Sequence, residues 1–93
     1  MQNLTFSLDE ARLMISAIDA LRRMGPSKDL DRMFVQMQQR IRMNVLGFNE
    51  GELRNLCMGL EWLLKENPLD WKAEKLLARL RSTLPDPEPR LNP

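Results

Sequence analysis

Two side chains that commonly anchor protein partners lie four residues apart in this chain. At that spacing Met58 and Trp62 would share one face of a helix, with Asn55 and Gly59 as helical neighbours. Trp and Met are enriched at protein interfaces, and glycine lets a second backbone come close. These residues, with Trp71 at the margin, predict a docking surface for a protein. A helix packed between two neighbours within the fold would explain the same pattern.

A second group of polar side chains could contact nucleic acid. From Arg32 to Asn49 the chain has no acidic residue. Arginine and glutamine can pair with guanine and adenine edges in a major groove, as in a helix–turn–helix protein. Three arginines are few for phosphate binding, so this function is the alternative and nucleic acid is not the expected partner. Its residues are Arg32, Gln36, Gln39, Arg40 and Arg42, with Gln38 as a further polar side chain.

The residue types that most enzymes need are missing. The chain has no His, no Tyr and one Cys, Cys57, so a Cys–His pair and a Cys/His zinc site are both ruled out. The four glycines are scattered and form no phosphate-binding loop. Cys57 falls on an apolar helix stripe and is expected to be buried. We therefore expect no catalytic residue, no cofactor, no metal and no small-molecule substrate.

Length and composition predict one small soluble domain. The chain has 93 residues, a net charge of +1 and 43% hydrophobic residues, which is ordinary for a globular protein. No apolar run is long enough for a membrane span, and the first residues lack the features of a secretion signal. A single cysteine suits a reducing compartment, so a cytoplasmic protein without membrane contact is expected.

Capping signals divide the chain into four predicted helices. Ser7 with Glu10 and Asn49 with Glu52 form capping boxes at the starts of helices 1 and 3. Helix 2 is expected to start at Ser27 and to end near residues 43–46. Helix 4 can start at Pro68 or after Asp70. Helices 1 and 3 carry apolar residues beyond one stripe, so both are expected to be central.

The two halves of the chain repeat some features 42 residues apart. Phe6 and Phe48, Glu10 and Glu52, Arg12 and Arg54, and Pro26 and Pro68 are identical pairs at this offset. The pattern is compatible with internal duplication and equally with two unrelated helices that use the same caps. It predicts two αα-hairpins, over residues 7–46 and 49–84. Residues 85–93 contain four prolines and are expected to form a disordered tail.

One segment resembles a known repeat family. Asn67-Pro68-Leu69-Asp70-Trp71-Lys72-Ala73-Glu74-Lys75-Leu76-Leu77-Ala78 resembles the start of a tetratricopeptide repeat. The resemblance covers about 12 residues, and the 42-residue offset differs from the roughly 34 residues of that family. It assigns no site or partner to this chain.

The sequence as a whole predicts an all-α four-helix bundle, built from two tandem αα-hairpins in one domain over residues 1–84. Four short helices carry more apolar surface than they can bury among themselves. We therefore expect a small non-enzymatic interaction module, an adaptor or regulator, that forms a homodimer or binds another protein.

Overall fold

Four α-helices account for most of residues 5–84, which are the residues that the computed structural model describes. They are α1 (Leu8–Arg23), α2 (Lys28–Arg42), α3 (Glu50–Glu66) and α4 (Trp71–Thr83). No strand occurs in this span, so the all-α prediction is confirmed. No helix within residues 5–84 is long and apolar enough to cross a bilayer. The predicted proline-rich tail lies outside the described residues.

Both predicted capping boxes are present. Ser7 Oγ accepts a hydrogen bond from Glu10 N–H at 3.1 Å, and the Glu10 carboxylate accepts one from Ser7 N–H at 2.8 Å. Asn49 Oδ1 accepts from Glu52 N–H at 2.8 Å, and the Glu52 carboxylate accepts from Asn49 N–H at 3.0 Å. Each box pairs two amides that a helix start leaves without intrahelical partners. Helices α1 and α3 therefore begin where the sequence predicts.

The other two helices also begin at side-chain caps. Ser27 Oγ accepts from Leu30 N–H at 3.2 Å at the start of α2. At the start of α4, Asp70 Oδ1 accepts from the backbone amides of Lys72 and Ala73, each at 3.1 Å. Of the two predicted starts for helix 4, the structure therefore uses the aspartate cap.

Two residues with left-handed backbone conformations follow the first two helices. Gly25, just after α1 and before Pro26, has a φ of +76°, a conformation that glycine commonly adopts at the end of a helix. Helix α2 ends at Arg42, one to four residues earlier than predicted. Asn44 adopts a φ of +62° there. Asparagine tolerates this conformation better than most residues. The chain therefore turns at Asn44, three residues before Gly47.

Helix α1 is the centre of the fold and contacts each of the other three helices. Its closest packing is against α3, where Gly59 meets Ala17. A Cβ atom placed on Gly59 would lie 2.5 Å from the Ala17 carbonyl oxygen, so only glycine permits this approach. Apolar residues of all four helices form one core, although Leu30 and Val45, which were expected on the apolar stripe of α2, are exposed. Its largest fully buried side chains are Phe34, Met14, Ile18, Met37, Leu56, Leu60, Leu76 and Leu80.

An arginine from a distant helix holds the start of α1. Arg79 Nη1 donates to Glu10 Oε2 at 2.9 Å, and Arg79 Nη2 donates to the Thr5 carbonyl. The Arg79 guanidinium lies 4.9 Å from the centre of the Phe6 ring. One side chain thus binds the capping glutamate, a backbone carbonyl and the aromatic residue before the cap. We call this arrangement an arginine clasp.

A second arginine clasp of the same design holds the start of α3. Arg40 from α2 donates through Nη2 to Glu52 and through Nη1 to the Gly47 carbonyl at 3.3 Å. Its guanidinium lies 5.2 Å from the centre of the Phe48 ring. In both clasps the carbonyl belongs to the residue two positions before the helix cap. The clasps tie α4 to the start of α1, and α2 to the start of α3.

The first clasp makes stability depend on pH. Burial alone would raise the pKa of Glu10, but hydrogen bonds from the Ser7 N–H and Arg79 outweigh it and lower this pKa. A lowered carboxyl pKa contributes stability above the unfolded-state pKa, and that contribution is lost as pH falls through the folded-state pKa.

Substitution of Glu10 by glutamine should therefore flatten the pH dependence of stability. Glutamine can still accept the Ser7 hydrogen bond, but it has no charge to pair with Arg79. The free energy of unfolding can be measured with urea at a series of pH values from neutral to acidic. As the pH falls below the ordinary glutamate pKa, this free energy should decrease less in Glu10→Gln than in the wild type. Glu74→Gln, at an exposed position on α4, is the control and should follow the wild type. Parallel curves for Glu10→Gln and wild type would contradict this assignment.

Candidate interaction sites

The solvent side of α3 carries two large apolar side chains. Met58 and Trp62 lie one turn apart with 49% and 39% of their surfaces exposed. The Lys65 ammonium lies 5.5 Å from the centre of the Trp62 ring. Arg54 pairs with Glu50 at 2.9 Å at the other end of this face. We define the α3 outer face by six residues: Arg54, Asn55, Met58, Glu61, Trp62 and Lys65.

Two other residues of the predicted docking surface lie in different surroundings. Asn55 is half-buried, and its Nδ2 donates to the Gly51 carbonyl at 3.0 Å, so it lies at the edge of the α3 outer face. Gly59 is buried and faces Ala17 of α1. The close approach that Gly59 permits is therefore between two helices of this chain, and Gly59 does not belong to the exposed surface.

Trp71 lies at a separate site, in a cleft between the starts of α1 and α4. The cleft has a volume of about 280 Å³, and Leu13 contributes apolar surface to its lining. Trp71 is 66% exposed, which is high for the largest apolar side chain. The cleft is lined by Ser7, Asp9, Glu10, Leu13, Trp71, Lys72 and Lys75.

The cleft is lined by two lysines and two carboxylates, and one of the lysines, Lys75, pairs with neither carboxylate. Lys72 pairs with Asp9 at 3.3 Å, and its ammonium lies 5.8 Å from the centre of the Trp71 ring. Glu10 is paired with Arg79. Lys75 is exposed and makes no ion pair within residues 5–84. A ligand carboxylate could bind there without displacing an existing partner.

The residues of the nucleic-acid alternative are divided between the surface and the interior. Arg32, Gln36, Gln39 and Arg42 are exposed on α2. Arg40 is half-buried in the second arginine clasp, where it binds Glu52 and packs on Phe48. An arginine held in this way has fewer free donors for phosphate or base edges.

Gln38, the further polar side chain of this helix, lies between α1 and α2. It is 3% exposed, and its Nε2 donates to Asp19 Oδ1 at 2.7 Å and to the Ile15 carbonyl at 3.1 Å. Its Oε1 accepts from Arg22, which also pairs with Asp31 at 2.8 Å. The interpretation of Gln38 as a surface reader of nucleic acid is therefore wrong, because it bonds two helices together.

Cys57 is buried in the core, as its position on the apolar stripe predicts. Burial raises the pKa of its thiol, which keeps the sulfur protonated and unreactive at neutral pH. Within the part of the chain that the structure describes, no three acidic or sulfur side chains lie together in a way that could hold a metal ion.

Two exposed sites therefore stand out, the α3 outer face and the cleft that contains Trp71. Each combines an exposed indole with charged neighbours, and no residue belongs to both. No family model matches the chain, and neither the curated proteins nor the solved structures gave a match.

Proposed function

We propose that this chain is a small non-enzymatic interaction module that forms a homodimer through the α3 outer face and acts as an adaptor or regulator. The observation that carries this proposal is the exposure of Met58 and Trp62, one turn apart, on a helix whose other sides pack on α1 and α4. Trp and Met residues placed together on a surface are typical anchors of protein interfaces.

The proposal includes two tandem αα-hairpins that arose by duplication with an offset of 42 residues. Three observations support it. Both pairs of neighbouring helices, α1 with α2 and α3 with α4, are in contact. The contact between Ala17 and Gly59 joins two positions that are 42 residues apart, as expected where a pseudo-two-fold axis passes between equivalent helices. The two arginine clasps also link the units reciprocally: Arg40 of the first unit binds Glu52, and Arg79 of the second unit binds Glu10. The two glutamates are 42 positions apart, whereas the two arginines are 39 positions apart.

The duplication makes the α3 outer face distinctive. The positions equivalent to Met58 and Trp62 in the first unit are Ser16 and Ala20. Ser16 is exposed, so a small polar side chain suits solvent at this position of the repeat. Ala20, the equivalent of Trp62, is fully buried in the first unit. The comparison between the units therefore favours a binding role for Met58, and the binding role of Trp62 rests on its own exposure.

Two copies of α3 can pair antiparallel about a two-fold axis at Met58. Residues four positions on either side of Met58 then face each other, so Arg54 lies opposite Trp62 of the partner subunit. A guanidinium over an indole ring is a favourable cation–π contact. In the same register Asn55 lies opposite Glu61 of the partner subunit, and its amide can donate to that carboxylate. The α3 outer face is thus complementary to itself.

This pairing requires only exposed ion pairs to rearrange. Arg54 is paired with Glu50, and Glu61 with Arg81, and all four side chains are substantially exposed. Such pairs contribute roughly 0–1 kcal/mol each, so their exchange costs little. One helix pair buries less surface than the roughly 1,200 Å² of a stable interface. We therefore expect a dimer that dissociates on dilution.

Substitution of Trp62 by alanine should break this dimer without unfolding the chain. Loss of this indole, which lies opposite Arg54 of the partner subunit, should weaken association at least about tenfold. Because Trp62 is partly exposed in the monomer, the free energy of unfolding should fall by only about 1 kcal/mol. Size-exclusion chromatography with light scattering, from about 10 µM to about 1 mM protein, covers the range expected for a weak dimer. Circular dichroism checks the fold.

Two controls give this experiment a clear outcome. Trp71→Ala removes an equally large side chain at the other site and should leave the wild-type mass at every concentration. Met58→Cys should form an intersubunit disulfide under mild oxidation, since two-fold related Met58 positions meet, while Arg54→Cys should not. A wild-type monomer at the highest concentration would overturn the dimer. Equal cross-linking of both cysteine variants would overturn the register.

A further inference from the structure

We infer that the cleft between α1 and α4 binds a short acidic, proline-containing peptide segment of a partner protein. The cleft shares no residue with the α3 outer face, so this inference goes beyond the proposed homodimer. Two features of the cleft each match one feature of such a segment, and a third favours the binding of a short ligand.

The first feature is the exposed indole of Trp71. A flat aromatic surface at the edge of a groove is the usual platform for proline rings, because polyproline segments are already extended and lose little conformational freedom on binding. Leu13 lines the same cleft and is half-buried against the core, so the cleft offers apolar surface to an aliphatic side chain of the peptide.

The second feature is the placement of Lys75. It lies one helical turn after Trp71, lines the same cleft and makes no ion pair within residues 5–84. A carboxylate next to a proline on Trp71 would lie close to the Lys75 ammonium. Both carboxylates that line the cleft are already satisfied, Asp9 by Lys72 and Glu10 by Arg79.

The third feature is the rigidity of the walls. The α1 wall is fixed by the Ser7–Glu10 capping box and by the first arginine clasp. The α4 wall is fixed by the Asp70 cap. A site whose walls are held before binding loses less entropy when a ligand enters, so even a short peptide can bind measurably.

The test is a titration of the ¹⁵N-labelled full chain with the peptide acetyl-Pro-Glu-Pro-Leu-amide, followed by NMR. The two indole N–H signals are assigned with Trp62→Phe. We expect a saturable shift of the Trp71 signal and none of the Trp62 signal. Lys75→Ala should weaken binding about threefold to fivefold, as expected for one exposed charge pair. Lys65→Ala, beside Trp62, is the matched control and should bind like the wild type.

A second peptide tests the chemistry directly. Acetyl-Pro-Gln-Pro-Leu-amide has the same shape without the charge and should bind as weakly to the wild type as the acidic peptide binds to Lys75→Ala. The titration is repeated with Glu88→Gln protein, because the chain itself contains Pro87-Glu88-Pro89 and this variant gives that segment the uncharged sequence of the second peptide.

Three results would overturn the inference. They are no saturable shift of the Trp71 signal in either the wild type or Glu88→Gln, equal affinity for the two peptides, or an unchanged affinity for the acidic peptide in Lys75→Ala. The Trp62→Ala monomer should bind the acidic peptide like the wild type. Failure of the cleft and failure of the homodimer are therefore separate results.

Discussion

Replacement of Gly59 by alanine should destabilise the fold by about 2–3 kcal/mol, although alanine is the better helix former. The added Cβ would lie 2.5 Å from the Ala17 carbonyl oxygen and 2.9 Å from both the Ala17 carbonyl carbon and its Cβ. Two of these three atoms belong to the backbone, so no side-chain rotation can relieve the clash. Helix α1 would have to move away from α3. Urea denaturation measures the loss.

Gly51→Ala is the matched control on the same helix. Gly51 is exposed, and a Cβ there would meet only Asn49 Oδ1, at 3.4 Å. This variant should be neutral or more stable by up to about 0.5 kcal/mol, because alanine restricts the unfolded chain. Adding Ala17→Gly to Gly59→Ala should restore only part of the stability, since the contact with the carbonyl oxygen remains. A small effect of Gly59→Ala alone would contradict the close approach.

The helix starts could be predicted because capping is local. A cap and the amides it binds lie within three residues of each other, so Ser7, Ser27, Asn49 and Asp70 could be identified from the sequence. The apolar stripes were predictable for the same reason, since helical periodicity acts over one or two turns. The early end of α2 was not predicted. Both Asn44 and Gly47 can adopt a left-handed conformation, and the sequence does not rank them.

The side of a helix that faces a neighbour is harder to predict than the helix itself. Gly59 and Met58 are adjacent in the chain, yet Gly59 faces α1 and Met58 faces solvent. A glycine within a helix lowers helix stability by about 1 kcal/mol relative to alanine. Its presence there therefore indicates close packing within the fold as much as docking of a partner. The 42-residue offset between Ala17 and Gly59 was the further clue that could have assigned Gly59 to the interior.

The arginine clasps could not be predicted because they join residues far apart in the chain. Arg79 and Glu10 are separated by 69 positions, and many arginines could have paired with each glutamate.

The surface sites could be predicted only in part. The spacing of Met58 and Trp62 suffices to place them on one face, whereas the Trp71 cleft depends on how α4 crosses the start of α1.

Replacement of Arg40 by alanine should destabilise the fold by about 2 kcal/mol, because it leaves the Glu52 carboxylate buried without its cation. The Glu52 side chain is only 11% exposed and would keep its bond from the Asn49 N–H. Arg42→Ala, two residues later and exposed, should change stability by less than about 0.5 kcal/mol. Urea denaturation of both variants measures the difference.

The double variant Arg40→Ala with Glu52→Gln should recover part of this loss. Glutamine removes the stranded charge and can still accept from the Asn49 N–H, so the capping box survives. A double variant no more stable than Arg40→Ala would mean that Arg40 acts mainly through its packing on Phe48. Equal losses for Arg40→Ala and Arg42→Ala would contradict the clasp.

This prediction decides how nucleic-acid binding has to be tested. Loss of a gel shift in Arg40→Ala would report damage to the fold as readily as loss of a phosphate contact. The pair Arg32→Ala and Arg42→Ala removes two exposed charges and leaves the clasp intact. A salt-sensitive shift that the wild type shows and this variant lacks would support the α2 surface as a nucleic-acid site. We expect no such shift from the wild type, since Arg40 and Gln38 are both engaged within the fold.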